Sequence, residues 1–291
     1  EGVLPQKELA ARLMETEQAL CIVNTRKRAR QIYEMLPEEG RFHLSTLMVP
    51  EDRERTLEVI RERLQKGKIC RVVSTSLVEA GVDVDFPTVW REMTGLDSIL
   101  QAAGRCNREG RNEPADSPVY RFQLDGQAAP QMLAQNISAM NYAARRHADL
   151  SSPEAIKAYF NELFNLRSPD LLDKKHILSM IENGVSGCML PFAQVAELFR
   201  LIETPTRTVY LPLGAGAELC RQLRDGKMSR GLLRRLGVYS VECYDAQFKA
   251  LDRSGALELL PDGSAILIDM TKYDPKTGLA LDAETGVGLF I

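Results

Sequence analysis

Residues 19–24 are ALCIVN, a short apolar run that is typical of a strand buried on both faces of a sheet. Thr25 follows directly and can cap a helix that extends to about Leu36. Strands that alternate with helices over the first 126 residues predict an α/β domain, with a parallel sheet covered by helices on both faces. The other predicted strands are 42–45, 69–75, 87–91 and 118–123, and the other predicted helices are 5–17, 50–66 and 97–106.

The pattern changes after Gly126, where helical periodicity dominates. A strand at 207–213 and a hairpin joined by Pro261-Asp262-Gly263 follow, and they predict a small α+β end. We therefore predict an α/β domain at 1–126, a helical linker at 127–190 and a helix-rich α+β C-terminal domain at 191–291. The predicted helices are 130–147, 152–164, 170–182 and 191–202, and the predicted hairpin strands are 256–260 and 264–269.

The composition excludes several classes of protein. The net charge is −3, and residues 1–126 carry 19 Lys and Arg against 21 Asp and Glu, so nucleic acid would be bound by local patches only. Six cysteines without a Cys-x-x-Cys pair and three histidines leave no zinc spacing, and we expect no metal site and free thiols in a reducing cytoplasm. No apolar stretch approaches the roughly 18 residues of a membrane helix.

The strongest motif is QAAGRCNR at 101–108. Arg105 and Arg108 lie three residues apart, so a helical turn places them on one face, and Gly104 permits close approach to another surface. A planar, permanently charged guanidinium suits a γ-phosphate whose charge builds in a transition state. A solvated arginine face on a surface helix is the alternative.

A second motif, STSLVEAGVDVD at 74–85, follows a predicted buried strand. Its hydroxyls can hold a phosphate, Gly81 permits a tight turn, and Asp83 can accept hydrogen bonds from a ribose. A strand followed by such residues is often only a turn. The Gln-x-x-Gly-Arg-x-x-Arg motif that comes about 20 residues later makes the functional interpretation far more specific.

These two segments resemble motifs V and VI in the second RecA-like domain of superfamily 2 helicases. Asn24-Thr25 resembles motif IV, and His43-Leu44-Ser45-Thr46, with Arg53 at the next helix start, resembles the segment that follows motif IV. The resemblance implies a RecA-like parallel sheet over residues 1–126. It also implies binding of the DNA backbone by Asn24, Thr25, Ser45, Thr46 and Thr75, nucleotide binding by Gly81, Asp83 and Gly104, and sensing of ATP by Gln101, Arg105 and Arg108.

Within this superfamily the chain is most similar to the CRISPR-associated type I helicase-nuclease. The segment Glu79–Asp83 running into Asp85-Phe86, the end of motif VI at 104–108, and the tail with Tyr273-Asp274 and Gly278-Leu279 carry this similarity. Ala102 departs from the pattern, because many superfamily members carry arginine there, and a backup contact is therefore absent.

Several catalytic parts are absent from this sequence. The sequence contains no Gly-x-x-x-x-Gly-Lys-Ser/Thr motif, so the phosphate-binding loop is absent. It contains no Asp-Glu dipeptide, so the acidic motif that holds Mg²⁺ is absent, and no His-Asp dipeptide, so the nuclease domain is absent. We therefore expect ATP and Mg²⁺ to be held mainly by an N-terminal motor domain outside this chain, which would be inactive alone.

The resemblance implies an ATP-dependent DNA helicase and translocase of CRISPR interference, with single-stranded DNA and a guide-RNA surveillance complex as partners. Two segments are basic: 26–30, which begins with Arg26, and 221–235. Each is either an electrostatic binding surface for a DNA strand or simply a solvated face. The alternatives are half of another superfamily 2 translocase, in repair or restriction, or a non-enzymatic module that docks onto a protein partner.

Overall fold

Six parallel strands form the first sheet of this computed structural model, which describes residues 2–126, 128–167, 172–187, 189–199 and 206–280. The sheet order is β1-β6-β5-β2-β4-β3. All of its pairings are parallel. The strands are β1 (Val3–Leu4), β2 (Gln18–Ile22), β3 (Arg41–Leu44), β4 (Cys70–Ser74), β5 (Val89–Glu92) and β6 (Val119–Leu124).

Helices cover both faces of this sheet, as predicted. Successive residues of β2 point to opposite faces, so Ala19 and Cys21 enter one core and Leu20 and Ile22 enter the other. The first core is closed by α1 (Gln6–Met14) and α2 (Arg26–Met35), and the second by α3 (Pro50–Gln65) and α4 (Leu96–Ala103). The predicted RecA-like α/β arrangement is confirmed.

The predicted strands and helices of this region are all present, and only their ends differ by a few residues. The Thr25 cap is also confirmed, because its side chain accepts a hydrogen bond from the backbone N–H of Arg28. Strand β1 was not predicted: two residues are too few for a periodic pattern, and the strand exists because it pairs with β6.

Residues 131–199 form a compact helical unit of their own. A single 3₁₀ turn, Gln131–Leu133, leads into α5 (Ala134–Ala144), which packs on α6 (Pro153–Asn165) through buried alanines and Tyr159. Next come α7 (Ile177–Ser186) and α8 (Phe192–Leu198). Parts of the helices predicted at 170–182 and 191–202 lie outside the described residues, and the boundaries predicted at 126 and 190 stay predictions.

Residues 206–280 belong to the same compact unit as the first sheet. A second sheet, ordered β8-β7-β10-β9, packs between two apolar clusters. The predicted hairpin is confirmed, since β9 and β10 pair antiparallel. The elements are β7 (Thr206–Tyr210), α9 (Gly216–Arg224), α10 (Arg230–Leu236), β8 (Ser240–Tyr244), α11 (Asp245–Arg253), β9 (Leu257–Leu259), β10 (Ala265–Leu267), β11 (Tyr273–Asp274) and β12 (Gly278–Leu279).

Candidate nucleotide and nucleic-acid site

Three neighbouring strands end side by side at one edge of the first sheet. The parallel register places Ile22 of β2 and Leu44 of β3 on either side of Ser74 of β4. Ligands of open parallel sheets gather at this carboxyl edge. The loops that begin here are 23–25, 45–49 and 75–85, so the structure brings together the five residues predicted to hold a DNA backbone.

Two of those five residues have available hydroxyl groups. Thr46 and Thr75 are partly exposed, and within the described part of the chain neither hydroxyl makes a hydrogen bond. The hydroxyl of Thr25 is already used as the cap of α2, with 3.2 Å between its oxygen and the backbone nitrogen of Arg28. Thr46 and Thr75 are therefore the side chains best placed to bind a phosphate oxygen.

The other two side chains point into the protein. Asn24 is buried, and its amide donates to the Met93 carbonyl at 2.8 Å. Ser45 is fully buried, and its hydroxyl accepts from the backbone N–H of Leu47 at 3.3 Å. These contacts fix the shapes of the two loops, and a direct contact of either side chain with DNA stays a prediction.

Arg26, the first residue of the basic segment, leans toward the second sheet. Its guanidinium carbon lies 4.6 Å from the centre of the Tyr244 ring, a cation–π distance. The arginine therefore connects the start of α2 with the start of α11.

The segments that resemble motifs V and VI lie against each other. Phe86 and Cys106 form an isolated parallel bridge. The Phe86 N–H donates to the Arg105 carbonyl at 2.9 Å, and the Asn107 N–H donates to the Phe86 carbonyl at 2.9 Å. Gly81 adopts a φ of +73°, which favours glycine, and the space beside it is open. The two motif segments therefore lie side by side in the structure.

Arg105 and Arg108, the two arginines predicted to sense ATP, are both held against this glycine turn. Arg105 donates through Nε to the Val78 carbonyl at 2.9 Å and through Nη2 to the Glu79 carbonyl at 2.7 Å. Arg108 is more exposed and forms an ion pair with Asp83. Partial burial, and then the nearby Arg108 charge, lower the pKa of Arg105. Two cations therefore stand close together where a polyanion would relieve their repulsion.

The remaining predicted nucleotide residues lie on α4. Gln101 is exposed, and Gly104 ends the helix with an ordinary φ of −64°. The nearest atoms to a side chain placed at Gly104 are the carbonyl oxygens of Gln101 and Leu100. The surface that Gly104 was expected to approach is therefore not found among the described residues. Ala102 is fully buried in the core.

Two residues without a predicted role shape the loop that carries Arg105 and Arg108, which we call the arginine loop. Asn107 has a left-handed backbone, with φ of 46°, and exchanges two hydrogen bonds with the backbone of Asn112. Asp85 accepts a hydrogen bond from the Arg108 N–H at 2.7 Å. Asparagine before the second arginine was the available signal, because it tolerates left-handed backbone.

A buried ionic network beneath this edge was also missed. Arg91 and Glu92 of β5 are both buried, and burial raises the pKa of the Glu92 carboxyl while the guanidinium of Arg28 opposes this rise. Glu92 pairs with Arg28 of α2 and accepts from the Asn24 N–H at 2.7 Å. Two adjacent charged residues in a predicted strand are only a weak sequence signal for such a network, because their partners are distant in sequence.

The tail motif of the chain packs on the segment that follows β3. The Tyr273 hydroxyl donates to Asp52 at 2.6 Å and accepts from the Val49 N–H at 3.1 Å. The Leu279 N–H donates to the Leu47 carbonyl at 2.9 Å. The β11–β12 hairpin therefore fixes the loop that carries Ser45 and Thr46.

The second basic segment is an exposed surface of α9 and α10. Arg221 pairs with Glu218 and Arg224 pairs with Glu258. The remaining cations have no acidic partner in the regions that the structure describes, and they are Lys227, Arg230, Arg234 and Arg235. A phosphate backbone is one ligand that such a surface can attract.

Across the described ranges, no helix combines the length and the apolar character that crossing a bilayer requires. The same residues contain no group of three His, Cys, Asp or Glu side chains arranged to hold a metal ion. The five cysteines within these ranges are free thiols.

Residues 15–111 match the profile of the family described as CRISPR-associated nuclease/helicase Cas3, C-terminal. This match confirms the resemblance to that family that the sequence predicted. A CRISPR-associated nuclease/helicase Cas3 of Haloferax volcanii is 28% identical over 162 residues, which are 47% of this chain and 17% of that protein. A CRISPR-associated helicase Cas3 of Thermoproteus tenax is 25% identical over 205 residues, which are 68% of this chain and 33% of that protein.

Solved structures share the fold over most of the chain. The crystal structure of T. fusca Cas3-AMPPNP has a TM-score of 0.59 and 15% identity, covering 96% of this chain and 41% of that one. A chain in a CRISPR RNA-guided surveillance complex, pre-nicking, has a TM-score of 0.53 and 14% identity, covering 96% and 42%. The chain thus spans less than half the length of these relatives, and the similarity supports a CRISPR-associated helicase-type function.

Proposed function

We propose that this chain is the second half of the motor of an ATP-dependent DNA helicase that acts in CRISPR interference. The observation that carries the proposal is the packing of the Gly81 turn against the arginine loop, which gathers Arg105, Arg108 and Asp83 at one exposed place. This place lies next to loops whose hydroxyls are available for a DNA backbone.

The residues present fit one side of a nucleotide site. Arg105 and Arg108 are close enough for their charges to interact, and the space at Gly81 is open. Bound ATP with Mg²⁺ would supply the phosphoryl group whose transfer to water drives the motor. The two guanidiniums would leave Val78, Glu79 and Asp83 and donate hydrogen bonds to phosphate oxygens, and the released Asp83 carboxylate would accept from a ribose hydroxyl.

The strand site would lie at the ends of β2, β3 and β4. Thr46 and Thr75 would donate to phosphate oxygens, with Asn24, Thr25 and Ser45 shaping or joining that contact. Exposed cations of α10 would add an electrostatic surface for the same strand, with Arg26 closer to the strand ends. Because these contacts go to the backbone, they would carry no sequence preference.

The comparisons support one partner for the whole protein. Cas3 proteins are named as nuclease/helicases, and a similar chain was solved in a CRISPR RNA-guided surveillance complex. We infer that a guide-RNA surveillance complex recruits this protein to DNA in the cytoplasm. Coverage of 96% of the chain includes the region after residue 150, and it favours this function over that of a repair or restriction translocase.

The test compares this chain alone with a protein that carries both motor domains. We expect the chain alone to bind a single-stranded oligonucleotide, more weakly as salt is raised, without hydrolysing ATP. The two-domain protein should hydrolyse ATP, and single-stranded DNA should accelerate that hydrolysis. Hydrolysis by the chain alone, or a two-domain protein that ignores DNA, contradicts the proposal.

A further inference from the structure

Arg91 of β5 is a fully buried cation whose three nitrogens reach three different segments. Nε lies 2.8 Å from a carboxylate oxygen of Glu79, in an ion pair. Nη1 donates to the side-chain oxygen of Asn24 at 2.7 Å, and Nη2 donates to the Ser98 hydroxyl at 3.0 Å. The Ser98 hydroxyl also lies 2.8 Å from both oxygens of Glu79.

Each of these segments belongs to a different part of the proposed motor. Asn24 precedes Thr25 in the loop proposed to face the DNA strand. Glu79 precedes the Gly81 turn, and its carbonyl oxygen holds Arg105 at 2.7 Å. Ser98 lies on α4, the helix that ends immediately before Arg105. One guanidinium therefore contacts both the strand side and the nucleotide side of the site.

Stability alone is a weak reason to bury such a group. A well-packed apolar side chain of similar volume is often as stabilising as a buried ion pair, because charges lose their hydration on burial. Burial lowers the pKa of Arg91, the carboxylates of Glu79 and Glu92 oppose this effect, and the guanidinium remains charged at any physiological pH. What an apolar residue cannot supply is a fixed fork of donors that holds three segments in one arrangement.

We propose that Arg91 is a positioning residue that couples strand binding to ATP hydrolysis. A shift of the Asn24 loop when a strand binds moves the Arg91 fork. The Arg91 guanidinium then moves Glu79 and Ser98. Glu79 contacts Arg105 directly, and Ser98 lies on α4, the helix that precedes Arg105, so both shifts change the position of Arg105. This inference rests on the proposed helicase function and names the internal connection through which its two sites communicate.

The test measures ATP turnover with and without single-stranded DNA in a protein that carries both motor domains. Lysine has one charged nitrogen in place of a planar fork, so Arg91→Lys can keep the Glu79 ion pair but not all three contacts. We expect Arg91→Lys to lower the ratio of stimulated to unstimulated turnover by about 5-fold or more, the lower end of coupling between sites. The DNA concentration for half-maximal stimulation should rise with it.

Two milder variants, both at Ser98, test the inference even if the Arg91→Lys protein does not fold. Ser98→Ala removes one contact and should lower the same ratio by a smaller factor. Ser98→Thr keeps the hydroxyl and should restore the ratio. Leu13→Ala is the control for lost stability, because Leu13 is buried on α1 away from the network, and it should lower the melting temperature without changing the ratio.

The outcomes separate the two claims. If Arg91→Lys and Ser98→Ala lower only the melting temperature and keep the wild-type ratio, Arg91 is merely structural and the inference is overturned. If the unaltered protein is not stimulated by DNA, the proposed function fails and this inference fails with it. A lowered ratio in Leu13→Ala also overturns the inference, since destabilisation alone would then explain the effect.

Discussion

Three arginines at the candidate site, Arg91, Arg105 and Arg108, lie in three different environments. Arg91 is fully buried and contacts Glu79, Asn24 and Ser98. Arg105 is partly buried against two carbonyls, and Arg108 is exposed beside Asp83. The spacing of the last two predicted one face of a helical turn, and this geometry is wrong, because α4 ends at Ala103 and Asn107 between them has a left-handed backbone. Nothing local to Arg91 predicted its burial, because its partners Asn24 and Glu79 come from other parts of the chain.

His43 gives the molecule a pH dependence at the scale of one residue. It is buried against the Tyr33 ring, and no protein group bonds to either ring nitrogen within the described ranges. Burial first, and then the Arg30 charge, lower its pKa to about 4, while Asp274 opposes this. Below the unfolded pKa of about 6.5 the unfolded chain binds a proton that the folded chain excludes.

We therefore expect His43 to reduce the free energy of unfolding as pH falls from about 6.5 to about 4. The loss attributable to this one group is about 3 kcal/mol at pH 4, from the difference between the two pKa values. Chemical denaturation at several pH values measures it. His43→Leu should flatten this part of the pH profile, and an unchanged slope in that variant would show that other groups cause the acid sensitivity.

At the scale of elements, the β11–β12 hairpin shows how the tail motif acts. Its sequence marked the family, but its position became evident only from its contacts with the segment after β3. Gly278 has a φ of +83°, and an added Cβ would lie 2.4 Å from the backbone carbon and oxygen of Leu47. Glycine is needed here both for the backbone angle and for the close approach.

Gly278→Ala should therefore destabilise the protein by about 3 kcal/mol or more, because it combines backbone strain with an overlap of backbone atoms. Gly255→Ala is the matched control, since Gly255 also has a positive φ, of +70°, but open space around it. Its cost should be about 1 kcal/mol from strain alone. Equal free energies of unfolding for the two variants would show that the hairpin does not pack closely on Leu47.

Helices and strands with a long periodic pattern were predicted well, and strands that are very short or contain few apolar residues were not. The five strands from β2 to β6 have apolar runs that identify them, and α3 has a proline at its start and a charged outer face. Strand β1 has two residues, and β8 (SVECY) has a glutamate and little apolar length. Their strand state comes from pairing with β6 and β7, which a local pattern does not contain.

The candidate site was predictable to the same extent. Residues at the carboxyl ends of parallel strands must meet at one edge, so the gathering of Thr25, Thr46 and Thr75 followed from the fold. The inward orientation of Asn24 and Ser45 depended on partners such as Met93, which the sequence did not connect to them. Side-chain direction was therefore the part that needed the structure.

At the scale of the whole molecule, the chain is nearly neutral. A net charge of −3 agrees with local contacts in place of a basic coat. The chain spans 41% of the T. fusca Cas3-AMPPNP chain that it resembles, and it lacks a phosphate loop in its own sequence. We therefore propose that Arg105 and Arg108 act on a nucleotide held by a second domain.

The most direct measurement of that requirement is DNA-stimulated ATP hydrolysis by a protein with both motor domains, comparing Arg105→Ala and Arg108→Ala with Arg111→Ala. Arg111 is an exposed neighbour that pairs only with Glu109 within the described residues, so it serves as the matched control. We expect a loss of about 10³-fold or more for Arg105→Ala and Arg108→Ala, the scale for an arginine that stabilises a transferring phosphoryl group, and little change for Arg111→Ala. Wild-type turnover in the Arg105 and Arg108 variants would contradict this role and leave those arginines as a surface feature of the loop after α4.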